Sequence, residues 1–427
     1  MNIINTISEK ILIKKSILTD YFDQQFSKNP ALFYNSVDLR HSGYKISAID
    51  TNCYPAGFNN LSISDKIDAQ NLVENFLADY VKNHDRGLKN IFIIPENHTR
   101  NMRYLENLST IFEILQHQDR QIYIATFNPE ITQKTILELE NGKLITLFPL
   151  QKISGKLAII NDNQQNIFAD LAILNNDLTN GIPEILNNII TPLHPNKEMG
   201  WHQRTKSNHF TIYNQIAEEI AEILELDPWL ISSLHENCDD INFKENIGLD
   251  CLAKNVDKIL KKITEKYHQH NVKDTPYCYI KADNGTYGMA VWAVYKAEDV
   301  LEINKKERNK MNMLKGATQT TKVMLQEGII TQDKINNAPA EPMIYMIKGD
   351  VSGYLFRCNQ ERDAHISLNA SGAQFFNIAN LPTNNNFLNI TDAKHLDVLN
   401  SYELIAKMAS LASSVENQQL RNHIHYA

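Results

Sequence analysis

Apolar positions recur along this chain at two spacings, and the elements follow from where one gives way to the other. Residues 3 to 28 carry Ile and Leu at helical spacing and predict an amphipathic helix or helix pair packed on a core. Tyr44 to Ile49 reads as a strand. From Leu61 to Ile190 helices and strands alternate: helix Lys66 to Asn83, strand Ile91 to Pro95, helix Arg100 to Gln116, strand Gln121 to Ala125, strand-like runs at Leu144 to Leu150 and Leu157 to Asn161, and a strand at Leu171 to Asn175. That alternation predicts an α/β layer with a largely parallel sheet. A helix from about Thr211 to Leu226 opens a helix-rich stretch that runs to His270. Beyond it, strands are expected at Thr321 to Leu325, Met343 to Ile347 and Gly353 to Arg357, with a last helix at Tyr402 to Val415 that places Leu404, Ile405, Met408 and Leu411 on one face.

Between the helix-rich stretch and those strands lies the most informative segment. Tyr277 to Ile280 and Met289 to Val294 are β-prone runs with Gly285 and Gly288 between them, a hairpin with a glycine-rich tip. Lys281 closes the first strand and Asp283 follows it, so a cation and a carboxylate stand beside a loop whose backbone N–H groups approach a ligand closely. The combination suits a nucleoside triphosphate with its metal, although many such hairpins are ordinary exposed turns. It is not a Walker A loop, where the lysine follows the glycines at a helix start. It is not a dinucleotide fingerprint either, because the spacing is Gly-x-x-Gly and a second strand follows.

Composition narrows the class. At 427 residues the chain accommodates two or three domains of ~100 to 200 residues. Hydrophobic content of 43% with 22% charged residues is that of a globular protein. No apolar run reaches the ~18 residues of a membrane span, and no signal-type core follows the N-terminus, so a soluble cytoplasmic protein without a membrane partner is expected. The net charge of -8 argues against nucleic acid as a partner. Five scattered cysteines without Cys-x-x-Cys spacing imply thiols and no zinc site. Glycine is scarce, with 15 residues, and seven of them fall between 285 and 372, so close backbone approach is concentrated there.

Several polar clusters have both a structural and a chemical reading. Asp50 and Asn52, at i and i+2 after a strand, put two oxygen side chains on one side of an extended backbone, where they share a cation or cap a polar turn through Asn59 and Asn60. The strand ends at 95 to 100 and 175 to 177 are ligand sites or helix caps. Arg204, Lys206 and His209 either steer an anion to a helix start or form a solvated basic loop. The basic run from Lys305 to Lys310 reads as a solvated helix face.

Taken in order, certain pieces make a resemblance: Asp-Thr-Asn-x-x-Pro-Ala-Gly-Phe-Asn-Asn at 50 to 60, Asn-Asn-Asp-Leu at 175 to 178, Trp-His-x-Arg-x-Lys-x-Asn-His-Phe at 201 to 210, Lys-Ala-Asp-x-Gly-Thr-Tyr-Gly-Met at 281 to 289, Gln-Glu-Gly at 326 to 328, Ala-Glu-Pro-Met-Ile-Tyr-Met-Ile at 340 to 347 and Leu-Asn-Ala-x-Gly at 368 to 372. The chain resembles the ATP-grasp ligases, most closely the proteobacterial glutamate-cysteine ligases. The early acid-x-Asn resembles the circularly permuted glutathione synthetases of eukaryotes, whereas residues 363 to 367 depart from the acidic approach expected before the Leu-Asn-Ala loop.

The resemblance implies an α/β fold of ATP-grasp type, circularly permuted, with an N-terminal α/β layer. It implies a substrate and metal-contributing domain at 1–200 and a nucleotide-binding domain at 201–427. The activity implied is ATP- and Mg²⁺-dependent ligation of the glutamate γ-carboxylate to cysteine through an acyl-phosphate. Another carboxylate-amine ligase, such as a glutathione synthetase, and a non-catalytic nucleotide-binding regulator remain alternatives. On this reading Lys281 neutralises ATP phosphates, Gly285 and Gly288 cover them, and Gln326, Glu327 and Gly328 meet the adenine and ribose. Asp50, Asn52 and Asp283 bind magnesium, and Arg357 stabilises the transferred phosphoryl group. Arg40, Asn59, Asn60, Arg100, Asn175 and Asn369 contact the amino acids, with Arg40 or Arg100 on an α-carboxylate. Oligomeric state is not legible in the sequence.

Overall fold

Which face of a strand is apolar decides what covers it, and three of the sheets here are organised by that rule. The structure, a computed structural model, describes residues 3–84, 87–98, 100–285, 290–312, 319–386 and 394–425. Helices α1 (Ile3–Ile13) and α2 (Lys15–Lys28) precede strands β1 (Tyr34–His41) and β2 (Ile46–Asn52). The expected alternation follows: α3 (Ile63–His84), β3 (Asn90–Pro95), α4 (Met102–Leu115), β4 (Gln121–Thr126), β5 (Thr135–Glu138) and β6 (Leu144–Pro149). A small sheet of β7 (Gln151–Ile153), β8 (Lys156–Ile160) and β9 (Asn166–Phe168) comes next, then β10 (Leu171–Asn175) and β11 (Leu193–His194). Past residue 200 the order is α5 (Lys206–Leu224), β12 (His235–Cys238), α6 (Leu249–Gln269), β13 (Cys278–Ala282), β14 (Val291–Val294), α7 (Ala297–Leu301), α8 (Lys305–Asn312), β15 (Val323–Glu327), β16 (Lys334–Ile335), β17 (Ala338–Ile347), β18 (Asp350–Cys358), β19 (Gln374–Asn377) and α9 (Lys394–His425). The architecture is mixed α/β.

The predicted parallel layer is present, in the order β11-β10-β3-β4-β6 with β5 antiparallel at the edge. Its strands are apolar on both sides. Ile91 and Ile93 join a core with α3 and α4, while Phe92 and Ile94 join a second core on the opposite face. A third sheet, β12-β15-β13-β14, is antiparallel and packs on α6, so the hairpin read from the sequence has a second neighbour in β15.

The sheet that matters most for function has the antiparallel path β19-β18-β17-β1-β2 and draws its strands from both ends of the chain. The expected division at residue 200 therefore does not separate the sheets. Val37, Leu39, Ile344 and Phe356 point to one face and pack against α1, α5 and α9. Asp38, Arg40, Glu341 and Arg357 alternate with them and point to the other face, into a cleft. Strand β1 is absent from the sequence reading because both its faces are buried and its charges mask the pattern. Among the described residues no helix is long and apolar enough to cross a membrane.

Candidate active site

One extra residue builds the acidic wall of the cleft. Asp38 pairs with Asp50 and Leu39 with Ala48, which leaves Ile49 without a partner in the ladder. Ile46 and Ala48 point into the apolar core, and strict alternation would send Asp50 after them. The bulge reverses the faces, so Asp50 and Asn52 emerge beside Asp38 on the cleft side. It also frees the Ile49 carbonyl, which accepts a hydrogen bond from Lys281 Nζ at 2.9 Å.

Lys281 lies near the end of β13, and its ammonium also donates to Gln326 Oε1 at 2.6 Å. Gln326 is held in turn by Ser233, to which its Nε2 donates at 3.0 Å. Burial pushes the Lys281 pKa down to about 8, against the opposing pull of Asp50. A narrow cavity of about 50 Å³ opens at this ammonium, between Gly285, Asp50, Arg357 and Asn369. Gly288 lies outside the described residues.

Two arginines share one carboxylate at the back of that cavity. Arg357 Nη1 donates to Glu341 Oε1 at 2.6 Å and to Asp38 Oδ2 at 2.8 Å, and its buried Nε has no partner among the described residues. Arg40 Nε donates to Glu341 Oε2 at 3.0 Å. Its remaining nitrogens donate to Tyr279 Oη and to the carbonyls of Ile329, Ala364 and Ile366. Burial alone would raise the Glu341 carboxyl, but the two guanidinium groups outweigh it and hold the pKa below the usual value. Burial raises the Asp38 carboxyl against the pull of Arg357. Arg40, expected on a substrate α-carboxylate, is instead an internal clamp.

The Trp201 to Phe210 segment supplies the counter-charge to Asp50. Lys206 Nζ, 4.4 Å from the centre of the Trp201 ring, donates to Asp50 Oδ1 at 2.6 Å. Burial would raise Asp50, yet Lys206, Lys281 and Arg204 hold it at about 2. Arg204 and His209 turn away, to Glu416 on α9, at 3.0 and 3.2 Å. Asp283 closes the start of α5, accepting from Ser207 N and Oγ, both at 2.7 Å. Its carboxylate is thus a helix cap that docks α5 on β13, not part of the acidic wall. Among the described residues no group of three or more His, Cys, Asp and Glu side chains forms a metal cage.

A wider cleft of about 560 Å³ continues outward from this wall, lined by Asn59, Asn60, Arg103, Glu106, Asp177 and Trp201 among others. Asp38, Asp50, Arg357 and Asn369 line both spaces. Asn175 is buried beneath the cleft, where its Nδ2 donates to Tyr34 Oη and the Pro55 carbonyl, so it supports the 55–60 loop instead of lining the cleft. Arg100 is exposed and lines neither space, whereas Arg103, a turn further along, does line the cleft. The Glu327 carboxylate is taken by Lys45 at 3.0 Å and Trp229 Nε1 at 2.8 Å. Gly328 is packed face-on to Tyr277, with no room for a Cβ. Asp38, Glu341 and Arg103 were missed by the sequence reading. A charge at every second position of an otherwise apolar strand was the available signal for the first two.

A glutamate-cysteine ligase family model matches residues 8–417, nearly the whole chain. The chain belongs to the glutamate-cysteine ligase family. A crystal structure assigned as a gamma-glutamylcysteine synthetase, from Methylobacillus flagellatus KT, is 33% identical and superposes with a TM-score of 0.85, covering 97% of this chain and 96% of that one. Two other solved structures are more distant. A glutathione synthetase-like effector from Globodera pallida gives 7% identity and a TM-score of 0.43 over 88% of this chain and 83% of that one. D-alanyl-alanine synthetase A from Vibrio cholerae gives 9% and 0.35 over 76% and 82%. No curated protein sequence matches the chain closely. Family membership makes the protein a ligase.

Proposed function

We propose that this glutamate-cysteine ligase forms γ-glutamylcysteine by activating the glutamate γ-carboxylate with ATP, on an ATP-grasp-like and circularly permuted arrangement of its two halves. A carboxylate does not react with an amine until one of its oxygens becomes a good leaving group, and a phosphoryl group makes it one. The observation that carries the reading is the wall of Asp38, Asp50, Arg357 and Asn369, which borders both the narrow cavity at Lys281 and the wide cleft. The first space, too small for more than a phosphate's end, presents the Lys281 ammonium to it, and the second is wide enough for amino acids, so the reacting oxygens would meet at that wall.

In this account Lys281 takes the phosphates, as a desolvated cation does most strongly, with Gly285 beside it. The adenine and ribose would lie beside the Gln326 to Gly328 segment, where the Glu327 side chain and the N–H groups of Glu327 and Gly328 are engaged within the protein. Arg357, whose Nε has no partner among the described residues, stabilises charge developing on the transferred group. Asp38 and Asp50 would offer Mg²⁺ an oxygen-only donor set, with phosphates and waters completing its shell, whereas the Asn52 Oδ1 also caps the following turn by accepting from Tyr54 N at 2.9 Å. Bound there, the ion neutralises phosphate charge. Asn59, Asn60 and Asn369 contribute amide contacts to the amino acids from the lining of the cleft.

With Mg²⁺ and ATP, glutamate plus cysteine is expected to give γ-glutamylcysteine with ADP and phosphate in equal amounts. γ-Glutamylcysteine plus glycine is expected to give little product. Faster turnover of the second pair would move the protein to a glutathione synthetase, and no ADP with either pair would leave a nucleotide-binding regulator.

A further inference from the structure

Carboxylates outnumber cations in the lining of the wide cleft, where five acidic side chains face Arg103, Arg357 and His98. Of its carboxylates, Asp38 is paired with Arg357 and Asp50 with Lys206, while Glu106, Glu140 and Asp177 line its outer part. Arg357 is tied to Asp38 and Glu341. Arg103 is the remaining arginine of the lining, and no ion pair or hydrogen bond engages its guanidinium among the described residues. An amino-acid substrate brings an α-carboxylate that this acidic cleft would otherwise repel. The guanidinium fork matches a carboxylate in geometry and charge.

The position of Arg103 has no explanation in helix stability. It sits in the first turn of α4, just after the cap Asn101, where a cation opposes the helix dipole and the free N–H groups favour an anion. The same helix is rigidly mounted over the cleft. Asn107 Oδ1 accepts from Gly57 N and Phe58 N at 2.9 and 3.0 Å, and Tyr104 Oη donates to the Asn175 carbonyl at 2.8 Å. Glu106, one turn beyond Arg103, lines the cleft with its carboxylate 3.5 Å from Asn59 Nδ2. A cation and a carboxylate one turn apart on a fixed helix match the two ends of an amino-acid zwitterion.

We propose that Arg103 is the specificity-determining anchor for the α-carboxylate of an amino-acid substrate, glutamate or cysteine, with Glu106 placed for the α-ammonium. The proposal rests on the ligase reading above and adds a residue to it.

The test is steady-state kinetics of Arg103→Gln and Arg103→Lys beside the unaltered enzyme, with each substrate varied in turn. Arg103→Gln is expected to raise the KM of one amino acid about ten- to hundred-fold, as loss of a charged hydrogen bond does. The KM for ATP and the thermal midpoint should stay unchanged, and Arg103→Lys should recover part of the loss. The preference for glutamate over its α-carboxamide, or for cysteine over cysteinamide, should fall in the same variant, and which pair responds names the amino acid held. Equal KM values for both amino acids in enzyme and variant, or an equal rise in the KM for ATP, would overturn the assignment. Absence of γ-glutamylcysteine with the unaltered enzyme would instead overturn the underlying function.

Discussion

Arg40 on β1 and Arg357 on β18 grip opposite oxygens of the same carboxylate, Glu341, yet the two ends of this charged row are built for different purposes. Around Arg40 the protein supplies acceptors to every guanidinium nitrogen: Glu341, Tyr279 and three backbone carbonyls. Around Arg357 both hydrogen bonds seen among the described residues leave from Nη1, and the buried Nε has no acceptor among those residues. Residue type and burial are the same in both places. The difference teaches that a buried arginine is free for chemistry only where the surrounding chain withholds acceptors, and that the count of hydrogen bonds separates a clamp from an active group.

The largest expected effect breaks that comparison at the Arg357 end. Arg357→Lys keeps the charge and loses the fork, and kcat should fall on the order of 10²- to 10³-fold with little change in thermal midpoint. Arg40→Met should do the reverse. It leaves Glu341 half-paired in the interior, so stability should drop by about 3–5 kcal/mol in denaturant titrations while the folded fraction keeps kcat within a few-fold. Equal loss of kcat in both variants at unchanged stability would remove the distinction.

Lys281 sharpens the comparison by pH. Its pKa in the folded protein is about 8, below the ordinary lysine value, so its buried charge opposes folding below pH 8, and stability gains from this group as pH rises from 8 toward 10.5. Lys281→Met should therefore fold at least as well at pH 7 and lack that gain. A bound polyphosphate favours the charged ammonium, so ATP binding at pH 8 to 9 should take up a proton in the unaltered enzyme. Calorimetry in buffers of different ionisation enthalpy measures the uptake. Retained ATP affinity in Lys281→Met would remove the phosphate role.

Asp50 and Asp283 form a smaller pair. With its pKa held at about 2, Asp50 contributes stability that is present above the ordinary carboxylate range and lost as pH falls from about 4 toward 2. Asp50→Asn should lose that acid window and need more Mg²⁺ for activity. Asp283→Asn should weaken the α5 cap by about 1 kcal/mol and leave the Mg²⁺ titration of activity unmoved. A shifted Mg²⁺ requirement in Asp283→Asn would return that carboxylate to the metal site.

The parallel layer and the paired strands β13 and β14 were legible because their apolar runs are local signals. The strand-end lysine and the Asp50-x-Asn52 pair were legible for the same reason. What escaped depends on pairing across the chain. Nothing in Tyr44 to Asn52 announces that Ile49 bulges and turns Asp50 over, because the bulge exists only against β1. Asp283 looks like a ligand in sequence since its partner, Ser207, lies far along the chain. Arg100 and Arg103 differ in sequence by three positions, and only the start of α4 decides which one reaches the cleft.

The central claim, that a phosphoryl group activates the γ-carboxylate at the wall shared by the two spaces, has a direct test in oxygen transfer. Glutamate labelled with ¹⁸O in its γ-carboxylate is converted with ATP, Mg²⁺ and cysteine, and the released phosphate is analysed by mass spectrometry. The account predicts one labelled oxygen in each phosphate formed with γ-glutamylcysteine. Unlabelled phosphate, with product forming at the same rate, would contradict it.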